Sequence, residues 1–231
     1  ALIATGSMSL KQSGSYVISS QMYGAAYGLC RDEAFYSQPS VANCSGFLVG
    51  EDLIATAGHC IDKRTCADYK FVFGFAMINE STAQTEIPQE EVYSCKEVLA
   101  HKLNNQVDYA LVRVDRPVRG HRPLKLQQTP AVVGQELVVI GHPAGIPTKV
   151  ADGASVRSLR NGYYVANLDT YGGNSGSAVF NAHTHEVTGI LVRGDSDFAY
   201  DRANKCNRSN LCSDKGCRGE DVTNISFIVE A

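Results

Sequence analysis

The feature that most constrains the fold of this chain is a series of short β-rich runs, most of them separated by Gly, Asn, Asp or Pro. The runs cover residues 46–49, 53–56, 69–75, 109–114, 137–140, 163–166, 177–180, 187–192 and 222–229. Many short strands at this spacing favour antiparallel sandwiches or barrels over a parallel sheet. No long amphipathic helix is evident, and residues 224–231 suit either a strand or a short helix. The sequence therefore predicts an all-β protein.

Composition excludes several other classes of protein. The 231 residues are 44% hydrophobic and only 19% charged, which suits a folded chain of one to two domains and not a disordered one. The net charge of −3 argues against a nucleic-acid binder and against attraction to acidic membranes. No run of about 18 apolar residues is present, so no membrane span is predicted. The first ten residues lack the features of a signal peptide, and we expect a mature or trimmed chain.

The cysteines indicate the redox environment. Eight are present, and none of them form a C-x-x-C pair: Cys30, Cys44, Cys60, Cys66, Cys95, Cys206, Cys212 and Cys217. An even number at this density favours disulfides, and therefore a secreted protein of the extracellular or periplasmic space. The alternative is a zinc site built from the last three cysteines and a distant histidine, which their spacing disfavours.

Three segments carry residues that suit nucleophilic catalysis. His59 lies in Thr-Ala-Gly-His-Cys after an apolar run, Asp108 opens another apolar run, and Ser175 lies in Gly-Gly-Asn-Ser-Gly. Serine is a poor nucleophile unless a base lies within hydrogen-bond distance, and the base needs a third group that fixes its tautomer. Each segment alone is weak evidence, because such residues are common in turns. All three in this order, each beside a predicted strand, favour a catalytic triad.

The glycines around Ser175 supply a second requirement of this chemistry. Glycine admits backbone conformations in which two N–H groups point towards one position, and acyl transfer needs such a pair of donors for the oxyanion. The backbone N–H groups of Gly173 and Ser175 are the candidates.

The same motifs resemble those of the chymotrypsin-like (trypsin-like) serine peptidases, from about residue 44 to residue 192. Residues 56–60 resemble the family's histidine motif, residues 108–111 its aspartate motif and residues 173–176 its serine motif. Within the family, the sequence G-N-S-G-S and the segment G-H-P-A-G at 141–145 are most similar to the bacterial branch of glutamyl endopeptidases and exfoliative toxins.

The resemblance implies a fold of two antiparallel six-stranded β-barrels with the active site between them. We expect residues 1–118 to form the first barrel, which carries His59 and Asp108. Residues 119–231 then form the second barrel, with Ser175 and the specificity pocket. A polar segment at 115–130 with three prolines independently suggests a connection between two halves.

The resemblance also implies a disulfide between Cys44 and Cys60 in the histidine loop. Cys66 and Cys95 are the next expected pair, because both flank strands of the first barrel. By elimination, Cys30 then joins one of Cys206, Cys212 and Cys217.

Asp169, six residues before Ser175, corresponds in this family to the floor of the primary specificity pocket. An aspartate there selects substrates with Arg or Lys before the cut. The alternative is that Asp169 bonds to local backbone N–H groups or to Arg193. The glutamyl branch uses a Thr at the position of Thr170 and a His at the position of Leu191. Because Leu191 can neither donate a hydrogen bond nor carry charge, a pocket for Glu is not expected.

The segment Val192, Arg193 and Gly194 resembles the strand that hydrogen-bonds the substrate backbone, and Gly194 would keep the mouth of the pocket open. Arg193 replaces a usual aromatic residue. It either favours acidic residues upstream of the cut or pairs with Asp195 and Asp197.

Asn174 departs from the animal members of the family. They place an Asp at this position, and it pairs with a new amino terminus that cleavage creates. A neutral amide cannot compensate for a buried ammonium group, so we expect activity that does not depend on such a salt bridge.

These inferences predict a secreted serine endopeptidase, a hydrolase that cleaves protein or peptide substrates after Arg or Lys through Ser175, His59 and Asp108. We expect a monomer that needs no cofactor or metal and binds no nucleic acid. The alternatives are an inactive protease-like binding module, a peptidase that prefers Glu or apolar residues, and an esterase that keeps the triad.

Overall fold

The structure is a computed structural model in which residues 1–168, 170–211 and 216–231 are described. Eleven strands precede residue 115: β1 Leu2–Ala4, β2 Met8–Leu10, β3 Ser15–Ile18, β4 Gln21–Met22, β5 Pro39–Ser40, β6 Phe47–Leu48, β7 Leu53–Thr56, β8 Tyr69–Val72, β9 Glu86–Pro88, β10 Val92–Leu103 and β11 Asp108–Val114. Eight follow residue 135: β12 Glu136–Gly141, β13 Lys149–Leu159, β14 Tyr163–Ala166, β15 Ala178–Asn181, β16 Val187–Arg193, β17 Phe198–Asp201, β18 Cys206–Ser209 and β19 Glu220–Asn224. The two α-helices of the described residues are single turns, α1 Tyr23–Ala26 and α2 Ser226–Val229. The protein is all-β, as the sequence predicts.

The first half of the chain forms a curled six-stranded antiparallel sheet in the order β1-β8-β10-β11-β7-β6. Its two edges meet at a single bridge between Leu2 and Cys44. There the Leu2 N–H donates to the Cys44 carbonyl at 2.8 Å, and the Asn43 N–H donates to the Leu2 carbonyl at 2.9 Å. The expected first barrel is therefore a curled sheet that one bridge holds together at its edges.

The second half forms a closed antiparallel barrel in the order β12-β13-β14-β19-β16-β15. Side chains alternate along its strands, so that Leu137 and Val139 are buried while Ile140 is exposed. These buried side chains belong to an apolar cluster inside the closed barrel. A second apolar cluster lies between the two sheets and joins residues such as Phe47 and Val112 of the first half to Ile190 of the second. This shared core packs the two sheets against each other and fixes the position of the loops between them.

The predicted runs do not include the two longest strands, β10 and β13. In β10 the register with β11 shifts between Cys95 and Glu97 and again between Val98 and Ala100. Gly153 interrupts β13 with a φ of +78°. Bulges of this kind put two consecutive residues opposite one partner, so the alternation of apolar and polar residues is lost in the sequence.

The predicted run 222–229 is a strand only in its first part, and of the two alternatives for residues 224–231 the short helix is the one that forms. The strand ends at Asn224, and α2 follows from Ser226. No helix of the described residues has the length and apolar character that a membrane span requires.

Three disulfides join described residues: Cys30–Cys206, Cys44–Cys60 and Cys66–Cys95. They match the expected pairs and select Cys206 as the partner of Cys30. Cys217 is disulfide-bonded as well, and Cys212 lies outside the described residues.

Replacing both Cys44 and Cys60 by alanine is expected to lower the free energy of unfolding by about 3 kcal/mol. The bond closes a loop of 16 residues, and losing that constraint mainly increases the entropy of the unfolded chain. Denaturant unfolding of the double variant beside the parent measures this change. An unchanged midpoint and slope would contradict the prediction.

Candidate active site

His59 and Asp108 are brought together by the pairing of two adjacent strands. His59 follows the end of β7, Asp108 opens β11, and these strands pair so that Thr56 lies opposite Ala110. Asp108 is 1% exposed, and Oδ2 of its carboxylate lies 2.8 Å from His59 Nδ1. Its other oxygen accepts hydrogen bonds from the N–H groups of Gly58 at 2.6 Å and His59 at 3.1 Å. Three bonds therefore fix both the loop and the imidazole.

Gly58 is required for this close approach. A Cβ atom there would lie 2.5 Å from the Lys102 carbonyl and 2.9 Å from the Tyr109 carbonyl. The Gly58 carbonyl in turn lies 2.9 Å from His101 Nε2. His101 therefore supports the histidine loop, although it has no spacing signal in the sequence.

Ser175 lies in a turn between two glycines in the left-handed region, Gly173 and Gly176, both with a φ of +88°. The Ser175 carbonyl accepts a hydrogen bond from the Ser45 N–H at 2.8 Å, and the Gly176 N–H donates to the Leu191 carbonyl at 2.7 Å. Among the described residues, no protein group bonds to the Ser175 hydroxyl or accepts from the N–H groups of Gly173 and Ser175. These are the groups that the sequence predicts to react and to hold an oxyanion.

Ser45 ties this turn to the first half of the chain, and the sequence analysis missed it. Its side chain is 1% exposed. The Ser45 hydroxyl donates to the Gly173 carbonyl at 3.0 Å and accepts from the His142 N–H at 3.0 Å. Its position beside Cys44 is the only sequence signal that points to it.

The Cys44–Cys60 disulfide lies between the histidine and the serine turn. A ring nitrogen of His59 lies within 4.8 Å of both sulfurs, and Cys60 Sγ lies 3.7 Å from the Ser175 carbonyl oxygen. The structure contains no hydrogen bond between the His59 and Ser175 side chains. Both sulfurs belong to the disulfide, so they offer no thiolate to a metal.

A cavity of about 410 Å³ opens beside Ser175. It is lined by Thr170, Tyr171, Gly172, Ser175, Leu191, Val192, Arg193, Gly194, Asp195, Asp197, Arg218 and Glu220. Every predicted substrate-binding residue lines this cavity except Asp169, which lies outside the described residues.

Glu220 is the acidic residue of this cavity that sequence reasoning missed. It opens β19 and is 9% exposed, and its carboxylate fills the space that a side chain at Gly194 would occupy. Favourable interactions with the Thr170 side chain and the Asp195 backbone lower the pKa of Glu220, but burial outweighs them and raises it to about 7. A carboxyl group so little solvated gains from a cation. In the sequence, Glu220 lies two positions before the predicted run that starts at Val222. In the structure β19 already begins at Glu220, and the three residues after it are buried.

The wall of the cavity is braced by aromatic residues from distant parts of the chain. The Tyr171 ring lies 5.6 Å from that of Phe198, which lies 5.3 Å from Tyr27 and 6.4 Å from Tyr23. The Gly172 N–H donates to Asp197 Oδ2 at 2.8 Å. The hairpin β17–β18 and the segment 21–40 therefore pack behind the cavity, and the Cys30–Cys206 bond cross-links them.

Arg193 does not pair with Asp195 or Asp197, which corrects one of the two interpretations of this residue. Its Nε lies 3.1 Å from Asp221 Oδ2. The guanidinium also donates to the carbonyls of Asn104 at 3.3 Å and Asn105 at 3.2 Å. Arg193 thereby connects the barrel to the loop that precedes Asp108.

Asn174 is 4% exposed, and its side-chain oxygen accepts a hydrogen bond from the Ser177 hydroxyl at 3.3 Å. The amide is therefore used within its own turn.

His183, from the turn before β16, lies 3.2 Å from Glu136 on the surface.

A closed antiparallel barrel, a curled antiparallel sheet and a loop cluster between them define the two-barrel, chymotrypsin-like class of fold. Residues 44–190 match the model of the trypsin-like peptidase domain, and the chain belongs to this family.

The names of individual relatives are consistent with this family assignment. The chain is 26% identical over 151 residues to a glutamyl endopeptidase of Bacillus licheniformis, across 61% of this chain and 46% of that protein. It is 30% identical over 112 residues to the snake venom serine protease Dav-KN of Deinagkistrodon acutus, across 46% of this chain and 41% of that protein. The chain thus spans less than half the length of these relatives. Mouse neuropsin, a serine protease, has a similar fold, with a TM-score of 0.56, 18% identity and coverage of 81% of this chain and 88% of its own.

Proposed function

We propose that this protein is a serine endopeptidase in which Ser175, His59 and Asp108 form the catalytic triad. The observation that carries the proposal is the 2.8 Å contact between His59 and the buried Asp108 carboxylate. The Ser175 hydroxyl and the N–H groups of Gly173 and Ser175 lie nearby and have no hydrogen-bond partner among the described residues. In free enzymes, the bond between base and nucleophile is often long and tightens only with substrate.

In the proposed reaction, Ser175 Oγ attacks the scissile carbonyl and His59 Nε2 takes its proton. The N–H groups of Gly173 and Ser175 stabilise the negative charge of the tetrahedral intermediate. His59 then gives the proton to the leaving amine, which leaves an acyl group on Ser175. Water attacks the acyl group with His59 again as base, and the new carboxylate is released.

The proposed specificity is for Arg or Lys before the cut. Glu220 supports it, because a buried carboxyl group in the cavity beside Ser175 forms charge-assisted hydrogen bonds with a cationic side chain. Asp169 adds a second carboxylate in this proposal, by its position in the sequence. A pocket for Glu is disfavoured, since Leu191 is apolar and the buried Glu220 carboxyl group shares the cavity with Thr170.

The proposed location is outside the cytoplasm. The disulfides support it, because such bonds persist in oxidising compartments. The proposed partner is a polypeptide substrate, and no cofactor takes part in the proposed reaction.

The proposal is tested by labelling with a fluorophosphonate probe, followed by digestion of a peptide library. Labelling of Ser175 and cleavage mainly after Arg and Lys are expected. No labelling would indicate an inactive binding module, and labelling with ester cleavage alone would indicate an esterase. Cleavage mainly after Glu or apolar residues would refute the pocket assignment and leave the triad in place.

The preference for a cationic residue is expected to rise with pH because of Glu220. Its pKa is raised to about 7, so the carboxyl group is mostly protonated at pH 6 and mostly ionised at pH 8. The measurement is the ratio of kcat/KM for an arginine substrate to that for the matched citrulline substrate, in which the titration of the triad cancels. This ratio should rise roughly tenfold from pH 6 to pH 8, and Glu220→Gln should make it flat.

Asp52→Asn provides the control, because this carboxylate is near Arg113 on the first sheet. It should leave the pH dependence of the ratio unchanged. An equally steep rise in the Glu220→Gln protein would show that another group sets it.

A further inference from the structure

A second cavity, of about 370 Å³, lies on the surface of the closed barrel. It is lined by Arg157, Ser158, Arg160, Tyr163, Val165, Arg218 and Asp221. We call it the arginine cavity. Among its described lining residues, three guanidinium groups share it with a single carboxylate, in a chain whose net charge is −3.

The one carboxylate is already neutralised. Asp221 Oδ2 lies 2.5 Å from a terminal nitrogen of Arg218 and 3.1 Å from Nε of Arg193. Two positive groups therefore share one negative group, and Asp221 leaves no charge to balance Arg157 or Arg160.

Among the residues that the structure describes, Arg157 and Arg160 bond only to backbone carbonyls. Arg157 donates to the Cys217 carbonyl at 3.0 Å, and Arg160 donates to the Leu159 carbonyl at 3.3 Å. Within the described part of the chain, neither has a carboxylate within ion-pair distance. Each guanidinium carries five N–H donors in a planar fork that matches a carboxylate, and most of them remain available.

The arginine cavity adjoins the cavity beside Ser175. Arg218 lines both cavities. Arg193 lines the cavity beside Ser175, and its guanidinium lies 5.7 Å from the ring of Tyr163, which lines the arginine cavity. A polypeptide held at Ser175 can therefore reach Arg157 and Arg160 without leaving the surface of the barrel.

We propose that the arginine cavity binds the carboxylates of an acidic segment of the polypeptide substrate. Carboxylates that belong to the substrate chain are favoured over a separate anion, because Arg218 lines both cavities and thus connects the arginine cavity to the cavity beside Ser175. The inference rests on the proposed function for the identity of the ligand as a substrate, but the binding itself can be measured without catalysis.

The binding test uses the Ser175→Ala protein, which cannot consume the probe. Two labelled peptides carry the same basic residue and the same flanking sequence, with a segment of four Glu in one and four Gln in the other. The Glu peptide is expected to bind more tightly at low salt and to lose this advantage as ionic strength rises. Adding Arg157→Gln and Arg160→Gln should weaken its binding about tenfold, at up to about 1 kcal/mol for each exposed pair, and leave the Gln peptide unaffected.

Two further variants make the result specific. Arg160→Gln alone removes an exposed side chain and keeps the Arg157 contact, so it should fold normally and show part of the effect. Arg64→Gln removes an exposed arginine that pairs with Asp62 on the other half of the chain, and it should change nothing. Equal affinity of the parent for the two peptides, or an equal loss with Arg64→Gln, would overturn the proposal. Sulfate binding that Arg160→Gln weakens, with no preference for the Glu peptide, would likewise overturn it in favour of a small anion.

The active protein separates this inference from the proposed function. If substrates with the Glu segment are cut faster than those with Gln, and the two arginine substitutions remove the difference, both hold. If no peptide is cut while the Glu peptide still binds through Arg157 and Arg160, the peptidase proposal fails and the anion site remains.

Discussion

Ser175→Ala is expected to fold like the parent protein and to lose peptidase activity by a factor of about 10⁴–10⁶. The substitution removes the attacking oxygen, and the hydroxyl has no hydrogen-bond partner among the described residues, so its loss leaves no described group unsatisfied. Turnover of a peptide substrate by purified variant and parent measures the loss.

Two controls distinguish a loss of catalysis from a loss of folding. Thermal unfolding and disulfide mapping should match the parent, which excludes a folding defect. Ser13→Ala, at an exposed serine that bonds to Ser15, provides the matched control and should retain full turnover. Substantial activity in the Ser175→Ala protein would refute the assignment of the nucleophile.

If the proposed triad is correct, Asp108→Asn is expected to lower kcat about 10⁴-fold, which is the loss that this substitution causes in the Ser-His-Asp triad of serine proteases. Oδ1 of Asp108 accepts from the N–H groups of Gly58 and His59, so the amide oxygen of an asparagine must take that place. Its NH₂ group then faces His59 Nδ1 and donates to it. The ring is forced to carry its proton on Nε2, where it cannot accept the proton of Ser175.

The tautomer gives a readout that a merely structural defect would not produce. In the Asp108→Asn protein, ¹⁵N NMR of His59 should show the neutral ring protonated at Nε2, with the fold intact. Activity should recover partly at high pH, where hydroxide can replace the lost base. A variant that keeps most of its kcat would show that Asp108 does not orient the base.

The sequence predicts those parts of the molecule that depend on short segments. The strands β7 and β14 have the predicted bounds because apolar and β-branched residues occupy them without interruption. His59, Asp108 and Ser175 stand out because each lies in a short motif with its own chemistry. The curled first sheet was not predictable, since it depends on a bridge between Leu2 and Cys44.

The rest of the site depends on contacts between residues far apart in the chain. Ser45 reaches Gly173 across 128 positions, and nothing in the neighbourhood of either residue indicates the other. Glu220 enters the cavity only because β19 pairs with β16 in a particular register. Arg193 had two acidic neighbours in sequence, but the same register places Asp221 beside it instead.

The aromatic residues and the Cys30–Cys206 disulfide behind the cavity also determine when, during biosynthesis, the wall of that cavity can form. Residues 21–40 are made well before Phe198 and Cys206, since 176 positions separate Cys30 from its partner. Contacts across such separations form late in folding, because the intervening chain must first be brought together. A chain made only as far as Asp108 contains the histidine and the aspartate, but it lacks Ser175 and the residues that support the wall of the cavity. If the proposed activity is correct, biosynthesis itself delays proteolysis until residues 198–206 have been made and Cys206 has been oxidised.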